Sequence, residues 1–133
     1  MTPRQWLYNR LTQRTALTAL VPADAIHAGG SLLSSPSQRP FVIYRVGSED
    51  PLLTGDDRAV ATGLRADVWV YDEPGSYQGI EAYLEALRSE ISADAPTVAG
   101  GYNVRWLGNS EELADDTFKA SVKVATFQLV RSV

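Results

Sequence analysis

Gly63-Leu64-Arg65-Ala66-Asp67-Val68-Trp69-Val70-Tyr71, followed by Asp72-Glu73-Pro74-Gly75-Ser76 and then by a run in which Ile80, Leu84, Leu87 and Ile91 recur, decides how this chain folds. In the first part Leu64, Ala66, Val68 and Val70 alternate with Arg65, Asp67, Trp69 and Tyr71, the period of a strand with one buried face. Asp72 to Gly75 supplies turn residues and Ser76 a candidate helix cap; the apolar recurrence that follows makes one stripe on an amphipathic helix. That helix is predicted to stop before Pro96, because a residue preceding proline avoids helical angles. A half-buried strand feeding an amphipathic helix can bury both apolar surfaces by laying the helix on the sheet.

On the N-terminal side, Pro40 to Val46 has the β-branched and aromatic density of a strand, with proline tolerated at its start. Gly47 to Thr62, with Pro51, Gly55 and the acids Glu49, Asp50, Asp56 and Asp57, reads as a long connecting loop. Thr2-Pro3-Arg4-Gln5 is a capping box with proline at the first helical position, and predicts a helix over about residues 3–20, broken near Thr15 and ended by Pro22. Ala25 to Ala28 is at most a short strand, and Ser31 to Arg39 a Ser- and Pro-rich loop.

On the C-terminal side, Tyr102 to Leu107 alternates as a further strand, Gly108 to Asp116 reads as a polar turn, and Thr117 to Arg131 is long and strand-like. Its apolar phase shifts between Val124 and Phe127, which predicts a β-bulge or burial on both faces in its second half. The chain of 133 residues is expected to form one α+β domain: a small, mostly antiparallel or mixed sheet of four to five strands with two helices packed on one face.

Composition removes several classes of function. Without cysteine there is no disulfide, thiolate chemistry or cysteine-bound zinc. With 12 basic and 16 acidic residues the net charge is −4, the wrong sign for gripping nucleic-acid phosphates. No leader-like segment and no membrane-length apolar run is present, so synthesis in a cytoplasm and no membrane association are expected.

Residues able to do chemistry are sparse. The lone His27 cannot form a His–His metal pair and reads as structural; Gly29-Gly30 and Gly100-Gly101 lack phosphate-loop spacing and read as turns. Neither a catalytic set, a metal site nor a cofactor is expected. The acids cluster in pairs at Glu49-Asp50, Asp56-Asp57, Glu111-Glu112 and Asp115-Asp116, half of all the acids of the chain. A divalent cation or acid–base chemistry could use such pairs, but solvated loop charge is far commoner, and if their two loops project on one side they form an acidic rim. Tyr44, Trp69, Tyr71 and Trp106 read as core or subunit-interface aromatics.

Pro22-Ala23-Asp24-Ala25-Ile26, Arg39-Pro40-Phe41-Val42-Ile43-Tyr44-Arg45 and Ala66-Asp67-Val68-Trp69-Val70-Tyr71-Asp72-Glu73-Pro74-Gly75-Ser76-Tyr77, taken together, resemble the small tail terminator (tail-completion) proteins of long-tailed bacteriophages, especially those of actinobacterial hosts. The resemblance implies a non-enzymatic virion protein: a homohexameric ring that caps the major tail tube protein and joins the tail to the head-tail connector (head-closure) protein, with DNA passing through the lumen without specific binding. A chain of this length has a radius of gyration of about 14 Å, so six copies in a circle would leave a hole wide enough for duplex DNA. Acidic loops lining that hole would repel phosphates; on a partner-facing side they would meet a basic surface. Another connector component or a tube subunit is the alternative within the structural class, and a small metal-dependent hydrolase or nuclease the alternative outside it.

Overall fold

The computed structural model describes residues 2–32, 36–53, 59–92 and 102–132. Helix α1 (Pro3–Gln13) opens on the capping box: the Thr2 hydroxyl accepts from the Gln5 amide at 3.1 Å and the Gln5 side chain accepts from the Thr2 amide at 2.9 Å. Arg14, in an extended conformation, breaks the helix one residue before Thr15, and the short α2 (Thr15–Thr18) follows. A 3-10 turn at Ala23–Ala25 leads into β1 (Ile26–Ala28).

Two long strands come next, β2 (Phe41–Leu53) and β3 (Ala59–Asp72), then α3 (Gln78–Ser92), β4 (Asn103–Asn109), β5 (Leu113–Asp115) and β6 (Ala120–Ser132). The sheet order is β1-β2-β3-β6-β4, with β5 also on β6. Only β1 and β2 are parallel; every other pairing is antiparallel. The fold is thus α+β, with six strands where four to five are expected from the sequence.

Three expectations are corrected. Much of the expected 47–62 loop is strand, because β2 and β3 continue as a hairpin arm in which Glu49 opposes Leu64, Asp50 opposes Gly63 and Pro51 opposes Thr62. Cross-strand backbone bonding overrides the poor strand propensity of those residues, and a shift between Val46 and Glu49 accommodates one extra residue on β2. The expected polar turn over 108–116 contains β5, which forms a tight hairpin with the start of β6. No bulge interrupts β6 against β3, whose register runs unbroken from Ala61↔Ser132 to Asp72↔Ser121; the irregularity lies in β4, between Trp106 and Gly108.

Register assigns the faces. Val42 and Tyr44 of β2, Val70 and Val68 of β3, and Lys123 and Ala125 of β6 share one face. Lys123 reaches Glu81 of α3 at 3.6 Å and the Tyr44 ring lies 6.0 Å from Tyr8 of α1, so both helices cover that face. Ile80, Leu84, Leu87 and Ile91 of α3 and Leu7 and Leu11 of α1 are buried there with Val42, Val68, Phe127 and Leu129. Each such fully buried side chain is worth roughly 1.5–3 kcal/mol over its exposed state. An ion pair between Arg14 at the helix break and Glu90 of α3, 3.9 Å long, links the two helical regions.

Among the described residues no helix covers the opposite face, yet its end is buried as well. Phe41 and Tyr71 stack with centroids 4.7 Å apart, and Phe118, from the turn between β5 and β6, stands edge-on to both. This second aromatic cluster explains why Ala120, Ser121 and Val122 are buried in succession: burial on both sides comes in the first half of β6, whereas its second half alternates.

Candidate functional site

The described members of the four acidic pairs occupy two separate regions. Glu49 and Asp50 are residues of the hairpin arm, beside Leu64 and Gly63, whereas Glu111 and Glu112 lie between β4 and β5, and Asp115 ends β5 beside Ala120. Since Leu64 pairs with Leu129, Asn109 with Ala125 and Leu113 with Val122, the arm acids and Glu111-Glu112 are separated by about 13–23 Å along the strands and by three strand spacings, about 14 Å, across them. They form no single rim within one subunit. Asp56 and Asp57 fall outside the described residues. Glu111, Glu112 and Asp116 are exposed, and Asp115 has a local task, accepting from the Phe118 amide at 2.8 Å. Among the described residues no group of three or more His, Asp or Glu is placed to hold a metal ion.

His27 lies on the edge strand β1 with its ring edge-on to Phe41 at 6.4 Å, a packing role. Tyr44 and Tyr71 are buried, and Trp69 and Trp106 half-buried, with Arg45 over the Trp69 ring and Arg88 over Trp106. Burial pushes the Tyr44 phenol up, against the opposing pull of the Arg4 guanidinium, with Tyr8 adding to the rise.

What the structure adds is a pair of flanks. On the β1–β2 side, Arg4, Gly29, Gly30, Tyr44, Arg45 and Val46 line a groove of about 420 Å³. Its shape depends on Gly29, where an added Cβ would stand 2.6 Å from the Arg45 side chain; the glycine lets that chain lie across the loop. Among the described residues neither Arg4 nor Arg45 makes an ion pair, and both are exposed. Tyr8, one helical turn beyond Arg4, is 42% exposed.

The opposite edge carries a shaped knob. Ser110 interrupts the edge strand: its amide donates to the Val124 carbonyl at 2.7 Å and its hydroxyl accepts from the Val124 amide at 2.9 Å. The Tyr77 hydroxyl donates to the Leu113 carbonyl at 2.7 Å and pins the far side. Glu111 and Glu112 project between these anchors, flanked by Leu107 and Leu113, which are 52% and 36% exposed. Sequence reading found these acids but missed the arginine groove, because Arg4 and Arg45 stand 41 positions apart and only the pairing of β1 with β2 brings the Gly29 loop between them.

No family model matches the chain, and no curated protein matches it. Among solved structures, a chain from the virion of a native gene transfer agent (GTA) particle is similar, with a TM-score of 0.71, 16% identity, and 98% of this chain and 95% of that chain covered. At that identity the likeness shows a shared fold over nearly the whole of both chains.

Proposed function

We propose that this chain is a structural virion protein of a tailed-phage type of particle, and that it acts as a tail terminator: a ring, six copies in the reading from sequence, that caps the tail tube and joins it to the head connector. The observation that carries the reading is the shared fold, end to end, with a chain taken from the virion of a phage-like particle. The sequence pattern at Arg39–Arg45 and Ala66–Tyr77 supports the finer assignment, since it resembles the terminator family. A growing tube presents the same face after each ring is added, so only a different protein that cannot itself be covered by tube subunits stops it. Such a cap needs two matching surfaces and no reaction.

In this reading the acids divide by place. Glu49 and Asp50 on the arm, with Asp56 and Asp57 beyond them in sequence, face the lumen, where like charge keeps phosphates from adhering during DNA passage. Glu111 and Glu112 meet a basic protein surface, while Asp115 holds its own turn.

Deleting the gene tests the assignment. Filled heads without tails, alongside free and abnormally long tails, are expected, and purified protein added to correctly sized tails should restore joining to heads. Tails of normal length joined to heads in the deletion would overturn the terminator role; loss of all tubes would reassign the chain as a tube subunit. Divalent-cation-dependent cleavage of nucleic acid by the purified protein would favour the hydrolase reading.

A further inference from the structure

The geometry points to a self-recognition contact: we infer that the groove between Arg4 and Arg45 of one copy receives the Glu111-Glu112 knob of the next. The inference deepens the ring reading and rests on it for the requirement that copies associate side by side.

Position is the first argument. The ladder runs directly across the sheet from Tyr44 to Val68, from Val68 to Ala125 and from Ala125 to Asn109. Tyr44 lines the groove, and Asn109 immediately precedes the knob. Groove and knob therefore sit at the same height on opposite edges of one sheet, so a neighbour rotated about an axis roughly along the strands brings its knob to the groove without a vertical step. Different patches that match each other make a heterologous contact; repeated, it closes into a ring when the rotation divides a full turn.

Complementarity is the second. The Arg4 guanidinium, which makes no ion pair among the described residues, faces across that contact two exposed carboxylates that likewise make none among them, while Arg45, its guanidinium over the Trp69 ring on the other face, walls the groove with its stem beside Gly29. Each charged set is accompanied by exposed apolar surface, Tyr8 on one flank and Leu107 and Leu113 on the other. Charged pairs of this kind chiefly set orientation and encounter rate, while the apolar residues supply buried area. The knob is already fixed by Ser110 and Tyr77, so little ordering entropy is lost when it docks. A nucleic-acid backbone could also be drawn to two arginines, but it would leave the knob on the other edge without a role.

Charge exchange tests the contact. Arg4→Glu alone, and Glu111→Arg with Glu112→Arg, should each weaken association at least about tenfold, and the three changes combined should recover most of the loss. Association is read by sedimentation of the free protein over a concentration series and by the mass bound at isolated tail-tube ends. Unchanged thermal unfolding of each variant shows that the fold is intact, as exposed substitutions usually shift stability by less than about 0.5 kcal/mol. Assembly of both charge-reversed variants as well as wild type overturns the contact and leaves the ring reading standing. Wild-type protein that associates under neither condition overturns both. If Arg4→Glu instead abolishes retention of duplex DNA while assembly is unaffected, the groove is a phosphate site and the contact is overturned.

Discussion

The Arg39 guanidinium donates to the main-chain carbonyl of Phe118, 79 positions later in the chain, at 2.5 Å. It also donates to the Lys119 carbonyl at 2.8 Å and lies over the Phe41 ring, against which Phe118 packs edge-on. One cation thus fastens the turn between β5 and β6 to the start of β2 and keeps Phe118 seated on the second face of the sheet. Lys119, with φ of 54°, holds the left-handed conformation that closes this turn.

Replacing Arg39 by alanine leaves those carbonyls without their charged donor. Hydrogen bonds to charged groups contribute about 1.5–3 kcal/mol, so Arg39→Ala should lower unfolding free energy by about 2–3 kcal/mol in a urea titration. A change below about 0.5 kcal/mol would show that the clamp is dispensable.

The capping box gives a smaller and more local expectation. Thr2→Ala removes the acceptor of the Gln5 amide and should cost about 1 kcal/mol. Amide exchange should accelerate in the first turn of α1 and stay unchanged in α3. Equal acceleration in both helices would mean that the cap supports the whole helical layer and not the first turn alone.

Alkaline pH should unfold the protein through its tyrosines. Burial, reinforced by Asp115 and opposed by Arg45, pushes the Tyr71 phenol from an ordinary value of 10.0 up to about 12, and burial alone pushes Tyr83 up as well. The folded state then holds these protons more tightly than the unfolded one, so stability is intact below pH 10 and falls as pH rises from there toward and past 12. The Tyr83 hydroxyl is buried without a hydrogen-bond partner among the described residues. Tyr83→Phe should therefore cost no stability at neutral pH and should move the alkaline transition upward, as followed by circular dichroism against phenolate absorbance. A variant that is less stable at neutral pH, or whose alkaline transition does not move, contradicts this account.

The elements most legible in the sequence are those whose signal is local. Thr2 and Gln5 lie three residues apart and cap one another as their spacing suggests, the helix breaks at Arg14 beside the expected Thr15, and Ile80 to Ile91 forms the buried stripe of α3. Ser76 is a partial exception, because its amide closes the turn onto Glu73 and the helix begins two residues later. Pairing is what local signals miss. Glu49, Asp50 and Pro51 read as loop and are strand because the partner residues at 62–64 bond to them. Leu113 to Asp115 is a strand only because β6 lies alongside. The candidate site divides in the same way: Glu111 and Glu112 are visible as an acidic pair, but the groove exists only once β1 has paired with β2 and set the Gly29 loop beside Arg45.

The place of β6 between β3 and the β4–β5 edge has a consequence for biosynthesis. Of the described strands it is the last to leave the ribosome, yet it bonds to strands on both sides and supplies Phe127 and Leu129 to the floor beneath the helices. Until it emerges, β3 can pair only with β2 and β4 has no partner strand among the described residues, so a nascent chain holds the Arg4–Arg45 flank without the Glu111–Glu112 knob in its folded place. Contacts between such distant segments are slow to form. If the proposed contact holds, a polysome of unfinished chains lacks the knob that the groove would receive, and self-recognition waits until each chain completes its sheet.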